Sequence, residues 1–546
     1  MRKAYLLALL LSYLFFACDK DDTLLQGDIK ASKIESKTEY YAPFVLEQGN
    51  VEAIEINGEK RSFYKGILEL PDAGFYKMVL DEQDTVLFVL LNAERVYDNR
   101  VYAEWGLKEW VPTDLVLSED FSGDIEVVCP SFYLSKIATP VVLRVKNREY
   151  TNTVNLECSV NKDSVFLMKR GIGSTSVPIT NGQIEAMVGP QKLTITVAEA
   201  STSEIKLSGK IDTDYVVPQN SVLHINADLE ISILGSLSIQ PGTIVLIDEG
   251  VNITNQGPIE FNGEADNPIF VTCSDSEKYF GGFISEGSKA KIIAKNSFFT
   301  RFSYHSGEGY QYGHAQHQAL FYSTNTEQTI HSCYFFDSPG QVFFTLNVEL
   351  TLSNLVIQRV KTTGQLNFGH ASVDDCYFAD YPEYSSQYKD DDNDGLYLND
   401  IDGDITNTMF LYCKDDGLDS GGDKGGIVNV TNCVFEGCFH EGIAMSSVDP
   451  AVKIHTITNC IFTNCQQGVE LGFSSSNHQV VVDNCTLYGN YIGVRYGDCY
   501  DRDIDGKMLV KNSAVSGNYK NTWNMLRKIW SAKPENLSFI NTAFNE

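Results

Sequence analysis

Glycine recurs at a near-fixed interval in the last third of the chain. Gly395, Gly417, Gly442, Gly468 and Gly493 each open a short apolar run, and each lies 22 to 26 residues after the one before. A self-similar period of that length admits few architectures, because each repeat must stack on its neighbour to bury its apolar face. Here one repeat is one coil of a parallel β-helix. Other columns keep the same register. Asn407, Asn432, Asn459, Asn484 and Asn512 precede a second run, and six residues after each stand Cys413, Cys438, Cys465, Asn490 and Asn518. Cys433, Cys460 and Cys485 directly follow three of the asparagines, and the pattern reaches back through Asp375-Cys376 and Asn354 to Ser332-Cys333.

Stacked coils lie about 4.8 Å apart, so a column in the sequence becomes a ladder in space. On this reading the asparagines are buried and hydrogen-bond up and down the ladder, while Cys, Val, Ile and Phe fill the interior. Cysteines on one ladder point the same way, which makes them buried small hydrophobes rather than disulfide partners. Cys433 with Cys438, and Cys460 with Cys465, lack a histidine at zinc-ligand spacing.

The chain's 546 residues are ample for a large core and two or three domains. A net charge of −30, without clusters of Lys and Arg, argues against a nucleic-acid partner. At the N-terminus, Met1-Arg2-Lys3, an apolar run from Ala4 to Ala17 and then Cys18 resemble a bacterial lipoprotein signal. That resemblance implies residues 1–18 as signal peptide, with Cys18 as the lipidated first residue of the mature protein. The run is shorter than the roughly 20 residues that span a bilayer. Asp19-Lys20-Asp21-Asp22 resembles the surface-export tag of Bacteroidetes lipoproteins, which implies an outer-membrane anchor and display at the cell surface.

A polar tether over 19–30 leads into 31–205, where short alternating runs such as Val86–Leu90, Val141–Val145 and Leu193–Val197 predict one or two β-sandwich modules that space the helix from the membrane. Ala103 to Trp110 reads as a connector between them. The helix itself is expected over 206–518, opening on narrow coils. The segment 519–546, with Trp523, Met525, Leu526 and Trp530 near helical spacing, is expected to cap it. Two coils carry insertions. Tyr304–Gln318 holds His305, His314, His317, Tyr310 and Tyr312, and Tyr381–Asn393 holds Tyr384, Tyr388 and the run Asp390-Asp391-Asp392. Both follow the same turn and should wall one groove. Tyr384 and Tyr388 are candidates to stack on sugar rings or to pack the loops, and the three histidines read as loop surface.

The glycine column carries the candidate chemistry. Its rungs are Asn393-Asp394-Gly395-Leu396-Tyr397, Asp415-Asp416-Gly417-Leu418-Asp419, His440-Glu441-Gly442-Ile443-Ala444, Gln466-Gln467-Gly468-Val469-Glu470 and Tyr491-Ile492-Gly493-Val494-Arg495. If the residue after each glycine points inward, Tyr397, Asp419, Glu470 and Arg495 point outward. Acidic side chains from several coils then share one strip with His440 and Arg495. Carboxylates two coils apart approach the ~6.5–9.5 Å separation of an inverting glycosidase pair, and crowding raises the pKa of one of them.

The order Asn-Asp-Gly, Asp-Asp-Gly, His-Glu-Gly, Gly-Val-Arg resembles the polygalacturonase-type glycoside hydrolases, which are right-handed parallel β-helices. The resemblance implies Asp394, Asp415 and Asp416 as acid and base carboxylates, with Arg495 binding a substrate carboxylate. It departs at Glu441, which stands where the family's His aligns, at His440, one residue early, and at Gly497, which replaces a Lys. The same rungs resemble a group of exported bacterial β-helix proteins, which bears on fold and not on reaction. The expected fold is therefore all-β, a right-handed parallel β-helix preceded by a β-sandwich region.

The site residues expected to act on an extracellular polysaccharide are Asp394, Asp415, Asp416, Asp419, His440 and Glu441, with Glu470, Arg495, Tyr384, Tyr388 and Tyr397 binding it. Two alternatives stay open. Asp390, Asp392 and Asp394 match half of an acidic Ca2+ loop, with Ile401 where an EF-hand has Glu, and a calcium ion would suit a polysaccharide lyase with Lys389, Lys414 or Arg495 as base. The strip would otherwise be a binding or adhesion surface without turnover. An Asp before Gly is also a common turn residue, which gives part of the ladder a purely structural reading.

Overall fold

The structure, a computed structural model, describes residues 38–42, 44–47, 54–62, 67–70, 74–80, 84–92, 124–146, 156–162, 164–201, 203–304, 312–381, 393–447, 449–497, 504–518, 520–524 and 536–544. The signal peptide with Cys18, the tether, the connector 103–110, His305, Tyr310, Tyr384, Tyr388, Lys389 and the run Asp390-Asp391-Asp392 lie outside them. Among the described residues no helix is long and apolar enough to cross a membrane.

From Glu204 to Phe544 the chain winds into a right-handed parallel β-helix of about 11 turns, one 36-stranded sheet system in which each strand pairs with its equivalent one coil on. Three faces repeat. The first contains Leu396–Asn399, Leu418–Gly421, Glu441–Ser447, Gln467–Phe473 and Ile492–Tyr496, the second Asp402–Thr406 through Lys507–Lys511, and the third Met409–Cys413 through Ala514–Ser516. The glycine column enters the first face because nothing larger fits. A Cβ on Gly395 would stand 2.3 Å from Gly417 O, and one on Gly417 would stand 2.6 Å from Gly442 O and 2.8 Å from Phe435 Cδ1.

The asparagines make the corner between the second and third faces. Asn407, Asn432, Asn459, Asn484 and Asn512 all adopt φ of 50 to 56°, the left-handed region that Asn tolerates better than most residues. Their amides do form a ladder, Asn432 donating to Asn407 at 3.3 Å and Asn484 to Asn459 at 2.7 Å, but the ladder is exposed and not buried. A backbone turn selects these residues. The buried amide ladder is in the other column, where Asn490 donates to Phe462 O at 3.0 Å and Asn518 to Leu487 O at 2.9 Å. The column cysteines are buried free thiols, and Phe410, Phe435 and Phe462 stack at 4.8 Å within the core.

Part of the N-terminal region is docked on the helix. Residues 124–200 form a β-sandwich of three- and four-stranded antiparallel sheets, and that sandwich lies against the third face of the helix. Ile137 and Val142 pack among Phe270, Phe298, Tyr334 and Tyr377. Lys169 pairs with Asp380 at 2.7 Å, Arg170 pairs with Glu436 in a buried contact, and Arg359 Nη1 donates to Ser174 O at 2.9 Å. Residues 38–92, where described, form a separate five-stranded sheet and a two-stranded one. At the C-terminus, Lys520–Asn524, Leu537–Ile540 and Ala543–Phe544 add another coil, one strand to each face, where a helical cap was expected; 525–535, holding Met525, Leu526 and Trp530, lie outside the described residues.

Candidate functional site

The first face sorts the rungs as the alternation requires. Leu396, Leu418, Ile443, Val469 and Val494 enter the core, so their neighbours Tyr397, Asp419, Ala444, Glu470 and Arg495 face outward and pair in that order along the ladder. The same outward column continues backward through Gln365, Phe344 and Tyr322. The described part of the first insertion lies over it. Tyr312 stacks on Phe344 with ring centroids 5.4 Å apart, and His314 meets the Tyr397 ring at 4.7 Å. Tyr312 therefore packs the loop onto the helix.

Just ahead of the glycines, Asp394, Asp416 and Glu441 climb on consecutive coils. The first two carboxylates accept from the next rung's backbone, Asp416 N donating to Asp394 Oδ1 at 3.4 Å and Glu441 N to Asp416 Oδ1 at 2.9 Å. Part of their role is thus to stitch coils together. All three are buried, as are Asp415, Glu470 and Arg495. Asp419, on the outward column, is half-buried.

His440 and Arg495 close the cluster from two sides. His440 Nδ1 lies 3.3 Å from Asp415 Oδ1 and 3.2 Å from Asp416 Oδ1, and it also contacts Glu441 Oε2. Arg495 Nη1 lies 3.1 Å from Glu441 Oε1, 2.6 Å from Glu470 Oε2 and 3.0 Å from Gln467 Oε1. The guanidinium, 1 % exposed, is engaged with the protein's own carboxylates. Lys414 is also buried, its ammonium 3.8 Å from the centre of the Phe439 ring. At 17 % side-chain exposure His440 is the most accessible member, against 1 % for Glu441 behind it.

These surroundings drive two carboxyls apart. Burial, followed by the Asp416 charge, pushes Glu441 well above the usual carboxyl range. Burial raises Asp416 as well, but the hydrogen bond with Glu441 and the His440 charge outweigh it and hold Asp416 below its ordinary value. The two carboxyls are shifted in opposite directions, which is the separation that acid/base chemistry requires.

Asp415, Asp416 and His440 offer ligand atoms that all lie within 4.8 Å of one another. Of the acidic loop expected to hold calcium, Asp390 and Asp392 are outside the described residues, and Asp394 is not part of this trio. A cavity of about 440 Å³ lies elsewhere, between the docked sandwich and the helix, lined by Arg144, Lys146, Asn354, Asp375, Tyr377 and Met409 among others.

One participant in the site and one buried pair outside it carry no role in the sequence analysis. Gln467 donates to Glu441, and its place in the Gln466-Gln467-Gly468 rung was the available signal. A second buried pair, His455 and His478, approaches to 3.4 Å on the next face, where neither residue stands out from an ordinary strand.

With fold and site in view, the chain is a right-handed parallel β-helix protein with an acidic strip along one face. Residues 394–523 match the family described as right handed beta helix region, a stretch that contains Asp394, Asp415, Asp416, His440, Glu441, Glu470 and Arg495. No curated protein and no solved structure matches the chain.

Proposed function

We propose that the strip binds an extracellular polysaccharide and hydrolyses its glycosidic bonds by carboxylate acid/base chemistry. The fold is consistent with polysaccharide-binding or polysaccharide-degrading proteins, and the observation that carries the reading is the contact of His440, the most accessible member, with Asp415, Asp416 and Glu441, two carboxyls of which are shifted in opposite directions. In this reading Asp415, Asp416 and His440 meet the substrate. Glu441 is the acid of the strip, and Arg495 offsets the negative charge beneath. Tyr397 and Asp419 extend the binding surface along the outward column. A lipid on Cys18 would hold the protein at the outer membrane, so Cys18→Ser should abolish incorporation of labelled palmitate.

A polysaccharide panel tests the reaction. New reducing ends without ultraviolet absorbance are expected, and Asp416→Asn should keep glycan binding while losing turnover. Reducing ends that absorb in the ultraviolet would mean elimination, binding without product would mean an adhesion surface, and unchanged turnover in Asp416→Asn would remove Asp416 from the site.

A further inference from the structure

We infer that the head of the strip is a binding site for a divalent transition-metal ion, Mn2+ or Zn2+, with Asp415, Asp416 and His440 as ligands and Asn393 as a fourth. This goes beyond the glycan reading and stands or falls without it. Three carboxylate oxygens, from Asp415, Asp416 and Glu441, converge on the single nitrogen His440 Nδ1. A ring nitrogen carries at most one hydrogen, so an N–H there satisfies one oxygen well and leaves the others crowded.

A metal ion resolves the crowding. Around an ion with bonds of about 2.1 Å, neighbouring ligand atoms stand roughly 3.0 Å apart in an octahedron and about 3.4 Å apart in a tetrahedron. The separations from His440 Nδ1 to Asp415 Oδ1 and Asp416 Oδ1 are 3.3 and 3.2 Å.

Asn393 supplies an independent indication. It is 4 % exposed, and its carboxamide oxygen accepts no hydrogen bond among the described residues. Leu396 pairs with Leu418, so the same register sets Asn393 directly beneath Asp415, one coil away. An enclosed amide oxygen without a donor is costly unless something positive occupies its lone pairs.

A nitrogen ligand among carboxylate and amide oxygens selects Mn2+ or Zn2+ over Ca2+ or Mg2+, which take oxygen sets.

The probe is MnCl2 added to the chelator-treated full-length protein. Calorimetry should give one site per chain, and pulsed electron paramagnetic resonance of the bound Mn2+ should show modulation from one imidazole nitrogen. CaCl2 should bind more than about 10-fold more weakly. His440→Gln should remove the nitrogen modulation, and Asp416→Asn should weaken Mn2+ by more than about 10-fold. Absence of Mn2+ binding to the wild-type protein would overturn the inference. Binding without nitrogen modulation would overturn it equally, and that result needs no variant to fold. Absence of glycan turnover by the wild-type protein, with Mn2+ binding intact, would count against the glycan reading alone.

Discussion

Acidification should weaken the helix at one identifiable point. Val428 N donates to His455 Nδ1 at 3.2 Å, so that ring carries its proton on Nε2, which lies 3.4 Å from His478 Nδ1. His478 Nε2 in turn faces Asp449 O at 2.7 Å. The chain of contacts requires both rings to be neutral, because a proton on either Nδ1 would set donor against donor. Burial, reinforced by the charges of His478 and Lys453, lowers His455 from 6.5 to about 3, and burial lowers His478 too. The unfolded chain takes up a proton below its ordinary value, and folded His455 refuses it until far lower. Stability from this residue is thus complete above about pH 6.5 and falls as the pH drops toward about 3. At ~1.36 kcal/mol per unit, the loss at pH ~5 is about 2 kcal/mol, with a limit of about 5 kcal/mol. The assay is urea unfolding near neutrality and near pH ~5 for the wild type and His455→Phe, whose ring can keep the stack on Phe473, 4.9 Å away. The variant should lack about 2 kcal/mol of the wild type's acid-induced drop. Equal drops in the two proteins would refute the neutral relay.

Two further comparisons follow from the ladder. Gly417→Ala forces a methyl to 2.6 Å from Gly442 O, and the overpacking should cost about 1–3 kcal/mol or more in urea unfolding, whereas alanine at the exposed corner Asn432 should cost less. Arg495→Gln strips the buried carboxyls of Glu441 and Glu470 of their guanidinium and should destabilise by about 3–5 kcal/mol; adding Glu470→Gln should recover part of that loss, and no recovery would argue against the pairing.

Much of the helix was legible because its constraints are local and repeat. Glycine is required wherever the backbone of the next coil approaches, as at Gly395, and a left-handed corner recruits Asn wherever it recurs, as at Asn432. The period exposed both, although the corner asparagines were read as interior when their exposed turn was the real cause. The docked sandwich was not read, because a contact between distant segments leaves no period. Its trace was the loss of alternation: Phe298-Phe299 and Tyr334-Phe335-Phe336 are apolar on both sides of a strand, as a doubly covered sheet must be. At the site, parity in the ladder brought Asp416, Glu441 and Arg495 together. It carried no information on depth, so Arg495 was read as a substrate contact, whereas its guanidinium is buried against Glu441 and Glu470.

Infrared spectroscopy of the carboxyl stretch, compared between the wild type, Glu441→Gln and Asp394→Asn at neutral pH, bears most directly on the strip. A protonated-carboxyl band should be present in the wild type, persist in Asp394→Asn and vanish in Glu441→Gln. A wild-type spectrum without that band, or one that Glu441→Gln leaves unchanged, would contradict a proton held on Glu441 and with it the proposed acid.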